Sequence, residues 1–311
     1  NGTFTWKNSY ETVFEVFAQA REDGVNTPKI SFILPFGAND NTNIQLRELY
    51  NDIYRTGRYQ DLWFYWKGKP LLMAYPDKLS RTNKIDREIR AFFSFRPANP
   101  DYKAQGKAGQ WGWLSVYPQV VYKNRDGSVE QTTVGVAQNY SAVMGLTAMN
   151  AADVFGRTYT TNGYDPRENA KAYGANFTQQ FEYALKVDPE FIFITGFNEW
   201  VAGRHEYWQG VVNAFPDQYN DEFSRDIEPS KGDLEDHYYY QMVDFIRRYK
   251  GVRQISHDTI SAPLDICAGN MAWQGRGKTY YAYPNNTFDR DDVGYGGIRY
   301  TDSSGRNDIT K

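Results

Sequence analysis

The sequence predicts an α/β protein built as a (β/α)8 TIM barrel, with one or two N-terminal strands lying outside this sequence. Short apolar runs alternate with stretches whose apolar residues recur at helical spacing. Such alternation is typical of parallel sheets assembled from βα units. Six strands are predicted between residues 29 and 197, fewer than a closed barrel needs, and the chain begins in the middle of the pattern. An open doubly wound sheet is the alternative fold.

The predicted elements follow in order along the chain. Strands are predicted where compact apolar runs occur, at residues 29–35, 69–75, 91–95, 111–117, 133–138 and 190–197. Helices are predicted where apolar side chains share one helical face, at residues 9–20, 43–54, 85–89, 176–186 and 233–249. These assignments place the catalytic barrel within residues 1–251. Beyond it, residues 252–311 alternate short apolar stretches with Asn-, Asp- and Gly-rich turns, which predicts a β-rich segment.

Composition limits the classes of function. The 35 basic and 38 acidic residues give a net charge of −3, which argues against a protein held to nucleic acid or anionic lipid. No uncharged apolar stretch is long enough for a transmembrane helix. The single cysteine excludes an intrachain disulfide, and with three histidines the sequence predicts neither a metal nor a cofactor. The aromatic content of 17% suits the stacking faces of sugar sites.

The most informative segment is FIFITGFNEW, residues 191–200, in which an apolar strand leads to Asn198, Glu199 and Trp200. Chemistry in a βα barrel lies at the carboxyl ends of the strands, where Glu199 is expected. A carboxylate beside apolar walls can have a pKa raised enough for acid–base work. The alternative is a helix start, with Asn198 as the N-cap and Glu199 in the first turn.

The FNEW motif, followed by IEPS at residues 227–230 and then a helix, resembles family 99 glycoside hydrolases and related bacterial polysaccharide-utilisation proteins. Family 71 α-glucanases are a more distant likeness. The family 99 motif runs N-E-W-x-E-G-T-x-I-E, and its first Glu is a base that acts on the sugar 2-hydroxyl. The resemblance implies this role for Glu199. The second Glu of the family is the acid, and Ala202 stands at that position here.

A second catalytic carboxyl must therefore come from elsewhere. Glu206 lies seven residues after Glu199, and Asp77 follows the predicted strand at 69–75. Glu228 matches the last Glu of the family motif, for which the resemblance implies a more structural role. A surface or capping role is the alternative for each of these carboxylates.

Further polar and aromatic residues are expected to line the substrate cleft. Trp and Tyr rings stack on the faces of pyranose rings, and Arg and amide groups bind hydroxyls. The predicted substrate-binding residues lie at strand ends or beside Glu199: Asn198, Trp200, Tyr75, Arg96, Trp111, Trp113, Gln138, Asn139, Arg204 and His205. Core packing is the alternative for each aromatic residue, whereas a buried Arg96 would need a partner.

The sequence thus predicts a bacterial glycoside hydrolase that cleaves a polysaccharide or complex glycan by carboxylate acid–base catalysis. A polysaccharide or oligosaccharide is the expected binding partner. The protein is expected to be secreted, periplasmic or at the cell surface, with its signal peptide outside this sequence. A non-catalytic carbohydrate-binding barrel is the alternative, because Ala202 replaces the family's acid. A third option is another barrel enzyme, such as a sugar-modifying or metal-dependent hydrolase. The C-terminal segment resembles the start of the β-sandwich domains that follow such catalytic modules.

Overall fold

The computed structural model describes residues 7–198 and 203–251 and three short strands nearer the C-terminus. These residues form two compact units. The first contains the described residues among 1–115, 120–133 and 189–193, and the second those among 116–119, 134–188 and 194–311.

The first unit begins with helices that alternate with short strands. Its elements up to residue 112 are α1 (Lys7–Glu22), β1 (Phe32–Ile33), α2 (Asp40–Leu49), β2 (Tyr65–Trp66), β3 (Lys69–Met73), α3 (Lys84–Phe92), β4 (Ser94–Phe95), β5 (Ala98–Asn99) and β6 (Trp111–Gly112). A π-helical stretch at Tyr50–Tyr54 extends α2, and a 3-10 turn covers Gln60–Leu62. Strands β1, β3 and β4 are parallel, β2 is antiparallel to β3, and β5 pairs in parallel with β6.

Asparagine caps fix the starts of two helices. The Asn39 side chain accepts a bond from Thr42 N at 2.8 Å, so α2 begins three residues before the predicted helix at 43–54. The Asn83 side chain accepts one from Asp86 N at 3.2 Å and starts α3. Helix α3 continues to Phe92, and this shortens the strand predicted at 91–95 to the two residues of β4.

A third sheet has the order β14-β8-β7, from β7 (Tyr122–Lys123), β8 (Val129–Val134) and β14 (Phe191–Ile194). Strands β7 and β8 are antiparallel. Glu190 N donates to Val129 O at 3.1 Å, and Thr195 N donates to Val134 O at 2.9 Å. From the first bond to the second, the residue number rises by the same amount on both strands, so β14 runs parallel to β8.

The second unit is made of small antiparallel sheets and two helices. Its remaining elements are β9 (Gln138–Ser141), β10 (Gly145–Leu146), β11 (Val154–Phe155), β12 (Tyr159–Thr160), β13 (Gly163–Tyr164), α4 (Ala175–Val187), β15 (His205–Trp208), β16 (Val211–Ala214), α5 (His237–Tyr249), β17 (Thr279–Ala282), β18 (Ile298–Thr301) and β19 (Asn307–Ile309), with a 3-10 turn at Ala170–Ala172. Strands β17, β18 and β19 form an antiparallel sheet within the segment predicted to be β-rich. The rest of that segment lies outside the described residues.

Each unit has an apolar core built from its helices. In the first unit, Phe14, Leu46, Ile53 and Ile89 are fully buried in one cluster. In the second, the rings of Phe181 on α4 and Phe245 on α5 stack with centroids 4.6 Å apart. The amphipathic helix patterns in the sequence therefore correspond to real buried faces.

The predicted (β/α)8 barrel is wrong. The described residues form sheets of two to four strands, none of which closes, and they contain five α-helices. The predicted strands at 29–35, 69–75 and 91–95 do pair in parallel within one sheet, as β1, β3 and β4. In a barrel the strand predicted at 190–197 would belong to the same sheet, but β14 belongs to a different one.

The sheets remain separate because the backbone hydrogen-bond ladders between neighbouring strands are short. Pro97 and Pro100 flank β5, and proline cannot donate to a ladder, so backbone pairing stops there. Between β6 and β8 a side chain takes the place of ladder bonds. Gly112 N donates to Gln131 Oε1 at 2.9 Å, and Gln131 Nε2 donates to Gly112 O at 3.0 Å. An apolar run reveals burial but not which of its backbone groups will find ladder partners.

None of the helices among the described residues has both the length and the apolar character needed to cross a membrane.

Candidate functional site

The predicted site residues are distributed over both units. Glu199 and Trp200 lie outside the described residues. The first unit carries Tyr75, Asp77, Arg96, Trp111 and Trp113. The second unit carries Gln138, Asn139, Asn198, Arg204, His205 and Glu206.

Aromatic side chains gather just beyond the carboxyl ends of the parallel strands in the first unit, and we call Phe36, Tyr75, Tyr102 and Trp113 the aromatic edge. The Phe36 ring, 42% exposed, lies 5.0 Å from the Trp113 ring. The buried Tyr102 ring packs edge-on against Trp113, with ring centroids 6.0 Å apart. The edge thus presents a partly exposed aromatic surface that packs against a buried ring.

Tyr75 connects this edge to the strand pair β5–β6. Its hydroxyl donates to Ala98 O at 2.7 Å and accepts a bond from Gln110 Nε2 at 2.9 Å. Burial raises the pKa of the Tyr75 hydroxyl, so the group stays protonated and keeps its bond to Ala98 O. Asp77 follows two residues later in an exposed turn. The Tyr75 hydroxyl is thus bonded within the protein, and Asp77 is an exposed polar side chain near the rings in the sequence.

The loop between β5 and β6 supports Trp113. Asn99 Nδ2 donates to Ala104 O at 2.9 Å, and Asp101 Oδ1 accepts from Ala104 N at 2.7 Å. The backbone N–H groups bonded to Asp101 lower the pKa of its carboxyl. These local bonds fold the loop so that Tyr102 is buried against Trp113.

Arg96 and Trp111 belong to a network centred on Glu130 of β8. Glu130 accepts bonds from Arg96 Nη2 at 2.7 Å and Arg96 Nε at 3.1 Å. It also accepts from the indole N–H groups of Trp111 at 2.9 Å and Trp66 at 3.0 Å. Burial alone would raise the pKa of Glu130, but these donors outweigh it and lower the pKa. Trp111 is fully buried, and Arg96 has the partner that a largely buried cation requires.

Gln138 and Asn139 are buried in the second unit and bonded to other side chains. Gln138 and Asn176 exchange two amide hydrogen bonds, at 2.9 and 3.1 Å. Asn139 Oδ1 accepts from Arg225 Nη1 at 2.8 Å, and Arg225 also pairs with Asp217. Both amides thus join segments that are distant in the sequence.

Arg204, His205 and Glu206 lie at the start of the exposed hairpin β15–β16. The hairpin turn is made by Gln209 and Gly210, both with positive φ, as in a type I′ turn. Arg204 Nη1 donates to Asn213 Oδ1 at 3.0 Å, bridging the two strands. Glu206 and His205 are exposed on β15.

The chain that leads from β14 to Asn198 is bonded to residues 227–228. Ile227 N donates to Gly196 O at 3.0 Å, and Glu228 N donates to Phe197 O at 2.8 Å. Gly196 has φ +80°, and a Cβ there would lie 2.5 Å from Arg225 O. Only glycine permits this approach, so the Gly in the ITGFNEW stretch has a structural reason.

A second carboxylate of this region, Glu222, is half-buried. Its Oε1 accepts from Thr158 N at 3.0 Å and Thr158 Oγ1 at 2.7 Å. Burial raises the pKa of the Glu222 carboxyl. The neighbouring Arg157, fully buried, donates to Ser224 Oγ at 2.8 Å and to Asp226 O at 2.6 Å. These contacts fix the loop at residues 222–226.

The sequence-based prediction missed several residues. Phe36 stands just past the strand predicted at 29–35, as Arg96 stands just past the one predicted at 91–95, so the same reasoning could have found it. Glu130 lies in a polar stretch with no motif, and only the fold reveals its four donors. Glu222 likewise carries no local signal.

No cluster of three or more His, Cys, Asp or Glu side chains that could hold a metal occurs in the described part of the chain. Comparisons with protein-family models, curated proteins and solved structures found no match.

Proposed function

We propose that this protein is a glycoside hydrolase acting on a polysaccharide, with Glu199 as an essential carboxylate. The observation that supports a carbohydrate ligand is the aromatic edge of the first unit, where the partly exposed Phe36 ring lies against Trp113 beyond the carboxyl ends of parallel strands. In open α/β sheets this end of the strands is where ligands bind. The resemblance of the FNEW motif to family 99 enzymes supports the chemistry.

The chemistry requires two carboxyl groups, one of which protonates the leaving oxygen while the other acts at the anomeric side. Glu199 follows β14 by five residues in the sequence, in the motif whose first Glu is a base in the resembling family. The aromatic edge supports a carbohydrate as the substrate class, because pyranose rings offer apolar faces bordered by hydroxyls.

The decisive test is Glu199→Gln, which keeps size and hydrogen bonding but removes the ionisable group. Release of reducing ends from a panel of purified polysaccharides should fall by about 10²–10⁴-fold. Glu168→Gln is the matched control, since Glu168 is exposed on the second unit. Unchanged turnover in Glu199→Gln would contradict the hydrolase proposal.

The second candidate is a non-catalytic carbohydrate-binding protein, favoured by Ala202 at the position of the family's acid. It requires polysaccharide binding without turnover in the unmodified protein. Affinity electrophoresis together with the reducing-end measurement separates the two candidates.

A further inference from the structure

Three exposed cations lie in the loop after β3 and at the start of α3, and we call Arg81, Lys84 and Arg87 the basic cluster. Among the described residues, none of these three side chains forms an ion pair or a hydrogen bond. Asp86 stands between them in the sequence, but its buried carboxylate bonds Arg47 instead. The basic cluster therefore carries positive charge that the described part of the fold does not neutralise.

The positions of these cations are unfavourable for the helix itself. Lys84 is the first residue of α3, where the helix dipole favours negative rather than positive charge. Arg87 follows at the i+3 position, where two like charges repel each other. The exposed acidic residue of this segment is Asp77, which precedes the cluster by four residues. Helix stability thus gives no reason for the three cations, whereas an anionic ligand would.

The loop that carries Arg81 is held against the loop of the aromatic edge that contains Phe36. Both loops follow the carboxyl ends of parallel strands, β3 and β1. Asn43 Nδ2 donates to Lys78 O at 2.9 Å, and Lys78 Nζ lies 3.5 Å from Asp40 Oδ1. Because Asp40 comes four residues after Phe36, these contacts bring the basic loop to the exposed ring.

A further exposed cation, Lys107, lies in the β5–β6 loop, which also contributes to the aromatic edge. Lys107 N donates to Gln110 Oε1 at 2.6 Å, and Gln110 Nε2 donates to the Tyr75 hydroxyl at 2.9 Å. The same loop carries Tyr102, whose ring packs against Trp113. Two of the loops around the aromatic surface therefore carry exposed cations.

We propose that the aromatic edge and the basic cluster together bind an acidic polysaccharide whose sugar units carry carboxylates, and this rests on the polysaccharide ligand of the proposed function. A uronic acid unit has an apolar ring face, which packs on Phe36, and a carboxylate at the rim of the ring. The planar guanidinium groups of Arg81 and Arg87 match the two oxygens of such a carboxylate. Lys84 and Lys107 bind further carboxylates along the chain as point charges.

The first experiment is titration calorimetry with oligosaccharides of polygalacturonate and alginate, and with the same oligosaccharides after reduction of their carboxyl groups. At least one acidic chain should bind about tenfold or more tightly than its reduced form. Its affinity should fall as NaCl is raised from about 50 to about 500 mM, because salt screens exposed charges. Polyglutamate, which has carboxylates but no sugar ring, should bind at least about tenfold more weakly than that acidic chain.

The second experiment removes charge from the basic cluster. Arg81→Gln/Lys84→Gln should weaken binding of the acidic oligosaccharide about 5–30-fold at low salt and leave binding of the reduced form unchanged. Lys123→Gln/Arg125→Gln is the matched control, since it also removes one lysine and one arginine. Both control residues are exposed, at β7 and in the turn before β8, and this variant should bind within about twofold of the unmodified protein.

Three results would overturn the proposal. They are equal losses in the two double variants, equal affinity for an acidic chain and its reduced form, and polyglutamate binding as tight as that of the acidic chain. A structural role for the basic cluster would lower the thermal unfolding midpoint of Arg81→Gln/Lys84→Gln. Removal of cations from the start of α3 should instead leave that midpoint unchanged or raise it.

This proposal and the proposed function fail in different ways. Binding of a neutral polysaccharide, with no binding of either acidic chain, refutes the acidic substrate class alone. If the unmodified protein binds no polysaccharide of either kind, the polysaccharide ligand of the proposed function is refuted as well.

Discussion

Glu130 shows how one buried carboxylate can organise several aromatic residues. Its two oxygens accept bonds from Arg96 and from two indole N–H groups, and its side chain is only 4% exposed. Charge-assisted bonds of this kind are stronger than neutral ones. The network fixes Trp111, whose ring stacks on Phe191 of β14 at 4.7 Å.

Glu130→Gln should lower the free energy of unfolding by about 2–4 kcal/mol, because it leaves the largely buried Arg96 without its counter-charge. Urea unfolding followed by tryptophan fluorescence measures the change. Glu190→Gln is the matched control, since the Lys67–Glu190 pair is substantially exposed, at 47% and 39%. Surface pairs contribute less than about 1 kcal/mol. Equal effects of the two substitutions would contradict the assigned role of Glu130.

At the scale of elements, helices were predicted better than strands. The predicted helices at 9–20 and 176–186 correspond to α1 and α4, because apolar periodicity directly reports a buried helical face. The strand predicted at 111–117 keeps only the two residues of β6, and that at 133–138 falls across the end of β8 and the start of β9. Ladder pairing depends on distant partners that no local pattern contains.

The sequence predicts that Tyr75, at the end of the strand predicted at 69–75, and Trp113, within the one predicted at 111–117, bind substrate, and this stays a prediction. The structure places both residues just beyond the carboxyl ends of short parallel strands. Arg96 was predicted by the same reasoning, but its guanidinium bonds Glu130. The end of a predicted strand indicates where a residue lies in the fold. The direction in which its side chain points depends on hydrogen-bond partners that are distant in the sequence.

Phe36→Ala should weaken polysaccharide binding about 5–10-fold, since an aromatic contact contributes about 1–1.5 kcal/mol. Tyr65→Ala is the control, because Tyr65 is exposed to a similar degree, 41% against 42%, but lies on β2, opposite the start of β3. Titration calorimetry with the polysaccharide that gives the strongest binding measures both. An equal loss of polysaccharide affinity in the two variants would contradict the assignment of the aromatic edge as the binding surface.

At the scale of the molecule, the wrong barrel prediction has a definite cause. The apolar runs predict parallel strands that alternate with helices, and the parallel arrangement of β1, β3 and β4 agrees with this prediction. Closure, however, needs continuous ladders between all neighbours. In the first unit, Tyr75 and Gln131 side chains bond the backbone at Ala98 and Gly112, where a barrel would have ladder bonds. Such side-chain bridges leave no periodic trace in a sequence.

Buried and hydrogen-bonded carboxylates should also govern how the whole molecule responds to acid. Asp86 is fully buried and accepts bonds from Arg47 Nε at 2.7 Å, Arg47 Nη2 at 2.8 Å and Ser80 N at 2.7 Å. Its bonds to Arg47, opposed by burial and aided by Ser80 N, lower the pKa of the Asp86 carboxyl. The folded state therefore binds this proton less readily than the unfolded state, whose Asp has a pKa of about 3.9.

The stabilisation from Asp86 is accordingly complete above about pH 5 and is lost as pH falls through the lowered pKa of the folded state. Asp86→Asn should lower the free energy of unfolding by about 1.5–3 kcal/mol at pH 7, the value of hydrogen bonds to a charged group. Because the variant has no carboxyl to protonate at this position, its stability should fall less steeply below pH 4. Urea unfolding between pH 2.5 and pH 7 measures both effects. Asp61→Asn is the control, because Asp61 pairs with Arg21 and its side chain is 67% exposed. This substitution should change the free energy of unfolding by no more than about 1 kcal/mol anywhere in this pH range. Parallel pH curves for Asp86→Asn and the unmodified protein would show that the Asp86–Arg47 bonds do not hold the carboxyl ionised in the fold.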